Sequence, residues 1–262
     1  MSILRGLGIG WRPEIAGFIA GLETLGFTEV IAESIHRELP PPLAALRDKG
    51  VPVIPHGVKL SLGGADPVDP DRVEHFANAA AVTRAPLVSE HIAFVRAAGM
   101  EAGHLLPLPR TREAVDAVVA NVTTVQSTLD VPLALEPIAA LVEWPDDELT
   151  EAQFLTEILD RTGALLLLDI ANVYANALNR NEDPHALLHA IPWDRVAYVH
   201  VAGGEMVDGL YHDTHVHPVP DEAYKMLRET RPTAVMLERD GRYPPAGQLR
   251  AELDAIAEAA WG

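Results

Sequence analysis

Side chains that bind metal ions stand at the ends of several short apolar runs in this chain. Clear examples are Glu136, Asp169 and His200, each of which closes a run rich in Val, Leu or Ile. Imidazole nitrogens and carboxylate oxygens are the donors of zinc and non-haem iron sites. The absence of cysteine excludes a thiolate metal site and a cysteine nucleophile within this chain. These residue types therefore predict metal ions held by nitrogen and oxygen atoms.

Two local motifs add donors near these ends. Asp169 is followed three residues later by Asn172, and the Asp213-x-His215 spacing places two donors on the same side of an extended segment. The predicted metal ligands are His56, His91, Glu136, Asp169, Asn172, His200, Asp213, His215 and Glu238. Because a catalytic zinc takes three protein ligands and a water, this set predicts about two or three ions. Glu136, in the middle of the set, is the predicted bridging ligand.

Four further polar groups are predicted to lie around the ligands. Glu33, Glu90 and Lys59 follow or end strand-like runs and are the available proton-handling groups at the rim. His217 follows the Asp213-x-His215 motif and is predicted to contact the ligands rather than the metal. A single buried His or Asp is more often a structural hydrogen-bonding residue. The prediction of a site therefore depends on the joint pattern.

The elements that must position these residues alternate along the chain. Eight apolar runs predict strands at Leu4–Gly10, Glu29–Glu33, Val51–His56, Leu87–His91, Leu133–Glu136, Leu165–Asp169, Val196–His200 and Ala234–Glu238. Helices are predicted at Pro13–Leu25, Pro41–Lys49, Asp71–Thr83, Arg112–Leu129, Glu151–Thr162, Pro184–Ile191, Asp221–Glu229 and Gly247–Ala260. This order predicts an α/β fold, a closed (β/α)8 TIM barrel, forming a single domain over residues 1–262. The strand ends then share one rim, where the active sites of such barrels lie.

Composition limits the partners. The 262 residues are 48% hydrophobic and carry a formal net charge of −18, which disfavours nucleic acid and anionic membranes as partners. No apolar run approaches the ~20 residues that span a bilayer. The first residues also lack the apolar core of a signal peptide. A cytoplasmic protein is predicted.

A doubly wound open sheet is the alternative fold, but the glycine-rich stretches lack G-x-G-x-x-G spacing.

Several of these motifs resemble one known family, DUF692, whose members are the multinuclear non-heme iron-dependent oxidative enzymes (MNIO). The resemblance runs from about Gly6 to the last helix. The segments that carry it are His56–Gly64, Val88–His91, His104–Pro109, Leu167–Tyr174, His200–Gly204, Asp213–His215 and Leu237–Asp240. The Leu-Leu-Asp-x-x-Asn-Val-Tyr and Asp-Thr-His pieces are the most specific of them.

The resemblance implies a TIM barrel that modifies ribosomally made precursor peptides in natural-product biosynthesis. The metal ions would be iron in mixed ferrous and ferric states, with O2 as oxidant, and zinc is the alternative. The modified residue is often a cysteine of the peptide, and many members work with a separate leader-recognition protein. All nine predicted ligands match the metal-binding positions of the family. Glu136, Asp213 and His215 are the candidate catalytic residues.

Three alternative functions are also compatible with these residues. Endonuclease IV and related xylose-isomerase-like proteins have a similar order of ligands and bind three zinc ions for phosphodiester hydrolysis. The charge of −18 suits a DNA backbone poorly, and Asn172 stands where that enzyme supplies a histidine. A sugar isomerase is a further alternative. A metal-binding pathway protein without catalysis is the non-enzyme alternative, because Pro137 and Ser34 replace residues that are usual in the family.

Overall fold

The computed structural model describes residues 3–262, in which eight parallel strands close into a barrel. In their order around the barrel, these strands are β1 (Gly6–Gly10), β2 (Phe27–Ile31), β3 (Val53–Gly57), β4 (Val88–His91), β7 (Leu133–Glu136), β8 (Leu165–Asp169), β9 (Val196–Val201) and β12 (Ala234–Leu237). Pairing of β12 with β1 closes the sheet. The predicted parallel barrel is confirmed.

Helices follow the strands on the outside of the barrel. They are α1 (Ala16–Ala20), α2 (Pro41–Asp48), α3 (Pro70–Thr83), α4 (Arg112–Gln126), α5 (Glu151–Thr162), α6 (Ile170–Arg180), α7 (Pro184–Ala190), α8 (Asp221–Thr230) and α9 (Ala246–Trp261). Local sequence sets their ends. The Thr150 side chain accepts from Gln153 N–H at the start of α5, while Gln153 accepts from Thr150 N–H. Within residues 3–262, no helix has the length and apolar character needed to cross a bilayer.

The barrel interior is filled in two levels. The lower level contains Leu4, Phe27, Ile54, Leu87, Ala134, Leu167, Tyr198 and Met236. Successive side chains of a strand point to opposite faces, so the residue two positions later returns to the interior one level higher. Those positions hold the buried polar residues Glu29, His56, Ser89, Glu136, Asp169, His200 and Glu238. The polar level therefore lies on an apolar floor, at the carboxyl ends of the strands.

The predicted bounds of the second strand, Glu29–Glu33, are wrong. The strand begins at Phe27, which fills the interior beside Gly8, where an added Cβ would lie 2.8 Å from the Phe27 ring. It ends at Ile31, and Glu33 lies in a following 3-10 turn, Ala32–Ser34. The earlier start places Glu29 in the interior.

Three further elements were not predicted. Two hairpins lie beyond the carboxyl ends of β4 and β9: β5 (Phe94–Ala97) with β6 (Met100–Leu106), and β10 (Glu205–Val207) with β11 (Leu210–His212). Their short, largely exposed strands have no buried run to indicate them. The third is α6, which begins directly after Asp169. The predicted first helix, Pro13–Leu25, shrinks to a 3-10 turn and α1.

Candidate metal centre

Strand geometry brings most of the predicted ligands into overlapping groups. Within residues 3–262, donor atoms lie within 4.8 Å of one another in four sets: His56, His91 and Glu136; Glu136, Asp169 and His200; Asp169, His215 and Glu238; and Glu29, His200 and Glu238. The first three sets are linked, because Glu136 and Asp169 each occur in two of them. Adjacent ions that share carboxylates would fit such an arrangement.

Glu136 lies at the centre of the inner groups. Its Oε2 atom lies 3.4 Å from His56 Nε2 and 3.3 Å from His91 Nε2. Its Oε1 atom lies 3.5 Å from His200 Nδ1. Burial opposes ionisation, but the charges of His91, His200 and His56 lower the pKa of Glu136. Glu136 is therefore a carboxylate whose two oxygens face different imidazoles, as bridging of two ions requires.

A second cluster lies nearer the mouth of the barrel, around His215. The His215 Nε2 atom lies 3.0 Å from Asp213 Oδ2 and 3.7 Å from Asp169 Oδ2, and Nδ1 lies 3.4 Å from Glu238 Oε2. The backbone at His215 has a φ of 54°, in the left-handed region. Asp240 N–H donates to the His215 carbonyl at 2.8 Å. This contact fixes the Asp213–His215 turn against the segment after β12.

Contacts on the far side of each imidazole determine which nitrogen faces Glu136. His91 Nδ1 lies 3.0 Å from the Gly57 carbonyl, and His56 Nδ1 lies 2.8 Å from Ser89 Oγ. His200 is turned the other way, with Nε2 3.1 Å from Glu29 Oε2. His56 and His91 thus present Nε2, and His200 presents Nδ1. Such outer contacts orient ligands and tune their basicity in metal sites.

Glu29 is the functional residue that the sequence analysis missed. It is buried, accepts a hydrogen bond of 2.5 Å from Tyr198 OH and lies against His200. Tyr198 OH also lies 2.8 Å from Ser89 Oγ, which contacts His56. A chain of hydrogen bonds therefore joins His56 to His200 beneath Glu136. The other ligands were predicted from the residues that end each strand, and Glu29 lies two residues before the end of β2.

Comparison with known proteins identifies the family. A family model described as RiPP precursor modification enzyme MbnB/TglH/ChrH matches residues 6–260, where RiPP denotes a ribosomally synthesised and post-translationally modified peptide. The chain belongs to the MbnB/TglH/ChrH family. The membership predicted from the motifs is confirmed, and the description of the family is that of enzymes that modify a RiPP precursor.

The chain is also similar to UPF0276 proteins of several bacteria. One from Streptomyces avermitilis is 49% identical over 263 residues, which cover 96% of this chain and 54% of that relative. The chain thus spans about half the length of the Streptomyces relative. One from Caulobacter vibrioides is 38% identical, with 98% of this chain and 94% of the relative covered.

Solved structures show the fold of this MbnB/TglH/ChrH member. Endonuclease IV from Thermus thermophilus superposes with a TM-score of 0.64 at 19% identity, covering 97% of this chain and 99% of that one. A xylose isomerase domain protein from Planctomyces limnophilus gives 0.57 at 14% identity, covering 98% and 95%. The fold is therefore a xylose-isomerase-like TIM barrel.

Unpaired buried atoms test whether the residues of this family member fit a metal. Within residues 3–262, four buried nitrogen or oxygen atoms of the predicted metal ligands have no hydrogen-bond partner: Glu136 Oε2, Asp169 Oδ2, His200 Nδ1 and Asp213 Oδ1. A buried polar atom without a partner costs about 1–3 kcal/mol, so native structures rarely contain several together. Bound cations would satisfy all four. The nitrogen and oxygen donors fit non-haem iron or zinc.

Asn172 lines the metal pocket, the space bounded by His56, His91, Glu136, His215 and Glu238, but its amide contacts backbone. Its Oδ1 accepts from Ala139 N–H at 2.9 Å, and its Nδ2 donates to the Pro137 carbonyl at 3.0 Å. It therefore secures the loop after β7, including the proline that departs from the family pattern. An amide oxygen accepts two bonds, so ligation by Asn172 stays a prediction.

The four outer groups of the sequence analysis lie in different places. Glu33 accepts from Val58 N–H, and Glu90 accepts from the N–H groups of His91 and Leu60. These carboxylates hold backbone around the ligands. Lys59 is exposed and lines a larger cleft beside the metal pocket. His217 Nδ1 lies 2.9 Å from Thr214 Oγ1, and its Nε2 accepts from Arg242 at 3.1 Å.

The metal-free enzyme is expected to lose stability as pH rises from about 6.5 to about 9. Burial and the Asp213 carboxylate raise the pKa of Asp169 to about 8. Burial opposes charge on His91, but Glu136 and Glu90 raise its pKa to about 9. In the folded chain Asp169 holds its proton to about pH 8 and His91 to about pH 9, whereas their ordinary pKa values are 3.8 and 6.5. Folding therefore weakens as pH rises, through Asp169 up to about 8 and through His91 up to about 9. Thermal unfolding of chelator-treated protein at several pH values measures it.

Metal-loaded protein is the control for this pH trend. Ligands must lose protons to bind metal, so bound ions should stabilise the protein more at the higher pH. If the unfolding temperature of the chelator-treated protein rose between about pH 6.5 and about pH 9, the protonation assigned to Asp169 and His91 would be contradicted.

Proposed function

We propose that this chain is a multinuclear iron-dependent oxidase that uses O2 to modify a side chain, often cysteine, of a ribosomally made precursor peptide. The observation that carries this proposal is the linked set of donor groups sharing Glu136 and Asp169 in a peptide-modifying family. Iron bound there supplies one-electron chemistry with O2. A separate leader-recognition protein is the proposed partner, and the cytoplasm is the proposed location.

The proposed roles of the chain's own residues follow from their positions. Glu136 holds the inner donors together, with His56 and His91 on one oxygen and His200 on the other. Asp213 lines both the metal pocket and the larger cleft beside it. Asp213 and its neighbour His215 are therefore proposed to meet the substrate, and with Glu136 they are the proposed catalytic residues. The apolar floor excludes water from below.

Elemental analysis is the first test. Protein expressed with iron and purified without oxygen is expected to contain about two to three equivalents of iron and little zinc, because linked nitrogen and oxygen donor groups suit several ions. The matched control is the same protein treated with a chelator and reloaded with iron.

The outcomes separate the proposals. Stoichiometric zinc that iron cannot displace would favour the hydrolase. Absence of any bound metal would remove the metal centre and the oxidative function with it. Iron-loaded protein is then mixed with the precursor peptide encoded nearest its gene, and O2 consumption and the mass of the peptide are measured. Absence of both O2 consumption and a mass change would favour the metal-binding protein without catalysis.

The second candidate is a zinc-dependent hydrolase, favoured by the superposition on endonuclease IV. At 19% identity that likeness concerns the fold alone. The net charge of −18 opposes a nucleic-acid backbone. The oxidative proposal is therefore preferred.

A further inference from the structure

A cleft of about 810 Å³ opens beside the metal pocket. It lies between strand β6, the loop at residues 139–142 and the segment at residues 211–214. Val58, Leu105, Ala139 and Asp213 line both the cleft and the metal pocket, so the two spaces are continuous. Leu106, Pro107, Leu141 and Val142 make much of the remaining wall apolar. Because the family acts on precursor peptides, the cleft is where a peptide segment next to the reacting residue would lie.

The backbone at the mouth of this cleft is held from both sides of Lys59. Val58 N–H donates to Glu33 Oε1 at 2.9 Å, and Leu60 N–H donates to Glu90 Oε2 at 3.1 Å. Arg72 donates to the Lys59 carbonyl at 2.8 Å. The two carboxylates thus fix the position from which the Lys59 side chain leaves the backbone.

The Lys59 ammonium itself has no partner. It is exposed, and within residues 3–262 it makes no hydrogen bond or ion pair. Glu101, an acidic side chain that also lines the cleft, is paired with Arg72. Lys59 is the one lysine or arginine among the described residues that line the cleft, in a chain with a net charge of −18. Arginines around it, such as Arg72 and Arg96, are paired with carboxylates.

We propose that Lys59 binds a carboxylate of the precursor peptide and so selects peptides with an acidic group close to the residue that is modified. This inference rests on the proposed action on a peptide, but not on iron or O2. Carboxylates are the anions that an unmodified ribosomal peptide carries, as Asp or Glu side chains or at its C-terminus. Because Lys59 is exposed, the contact contributes mainly selectivity and depends on salt.

Selection of peptides tests the proposal. Random peptides are displayed either with a free C-terminus or between two linkers, and are selected on the protein as purified, without O2 so that bound peptides are not consumed. Lys59→Glu is compared with Lys49→Glu, which makes the same charge change at an exposed position after α2, before β3 and away from the cleft. Representative selected peptides are then synthesised for affinity measurements at low and high salt.

Pools from the unchanged protein and from Lys49→Glu are expected to be enriched in acidic groups. The Lys59→Glu pool should lose that enrichment and gain Lys or Arg. A synthetic acidic peptide should bind Lys59→Glu about tenfold more weakly, as reversal of one partly exposed ion pair predicts. Enrichment confined to the free C-terminus library would identify the terminal carboxylate as the source, and enrichment in both would identify side chains.

Equal acidic enrichment in the Lys59→Glu pool, or no enrichment in any pool, would overturn the assignment of Lys59. These results are separate from the test of function. Acidic peptides selected by a protein that holds zinc would support Lys59 while the oxidative proposal failed. An active iron enzyme that selects peptides without regard to Lys59 would support the oxidative proposal while the assignment of Lys59 failed.

Discussion

Replacement of Glu136 by Gln is expected to remove most of the bound metal and abolish turnover while the barrel stays folded. The two Glu136 oxygens face His56 and His91 on one side and His200 on the other. A Gln amide carries no charge, and its NH2 group would face imidazole nitrogens that must themselves face metal. The loss should exceed the roughly 10- to 100-fold cost of removing a residue that only contacts a ligand. Elemental analysis and circular dichroism measure metal content and folding.

The matched control for Glu136 is Glu157→Gln, the same change on the outer face of α5. Glu157 pairs there with Arg112 and Arg161, and exposed pairs contribute little. The control should keep its metal. Full iron content and activity in folded Glu136→Gln would show that Glu136 is not a ligand, and the linked arrangement of donor groups would lose its centre.

Replacement of Glu29 by Gln is expected to weaken metal binding by roughly 10- to 100-fold, the usual cost of losing a residue that orients a ligand. Glu29 Oε2 lies 3.1 Å from His200 Nε2, which leaves Nδ1 towards Glu136. A neutral amide in its place no longer favours that tautomer or makes the imidazole a stronger donor. Titration of metal against a chelating indicator measures the effect without any peptide substrate.

Two further variants distinguish loss of ligand orientation from general destabilisation in Glu29→Gln. Tyr198→Phe keeps the ring and removes only the hydroxyl contacts with Glu29 and Ser89, so it should weaken binding less. Glu33→Gln changes a carboxylate that accepts from Val58 N–H and contacts no predicted ligand. Equal losses in Glu29→Gln and Glu33→Gln would mean that the effect is general destabilisation. Unchanged affinity in Glu29→Gln would remove its proposed orienting role.

Much of the candidate site could be predicted because β-strands are periodic. His56, Asp169 and His200 each end or nearly end an apolar run, and a parallel barrel brings such ends to one rim. The same logic failed for the second strand. Its predicted bounds lay two residues late at both ends, so Glu33 was taken as the residue that ends the strand, although it lies in the turn that follows. Strand limits depend on which residue fills the barrel interior, here Phe27, and local sequence does not determine that.

The residues that hold the site from outside were beyond prediction for a different reason. Glu90 and Glu33 were predicted as proton-handling groups, and their oxygens also accept the backbone N–H groups on either side of Lys59. Asn172 was predicted as a ligand, which stays a prediction, and its amide also contacts the loop after β7. Partners of a side chain come from segments distant in sequence, so its role depends on how those segments pack.

By itself, the sequence determined which donor types are present, their order along the chain and the barrel that places them on one rim. These follow from composition and from the two-residue period of strands, which are local properties. The tertiary structure decided which nitrogen of each histidine faces Glu136, that Glu29 and Tyr198 connect His56 to His200, and that Lys59 stands unpaired in the cleft. Tautomer, pairing and protonation depend on distances between residues that only closure of the barrel brings together.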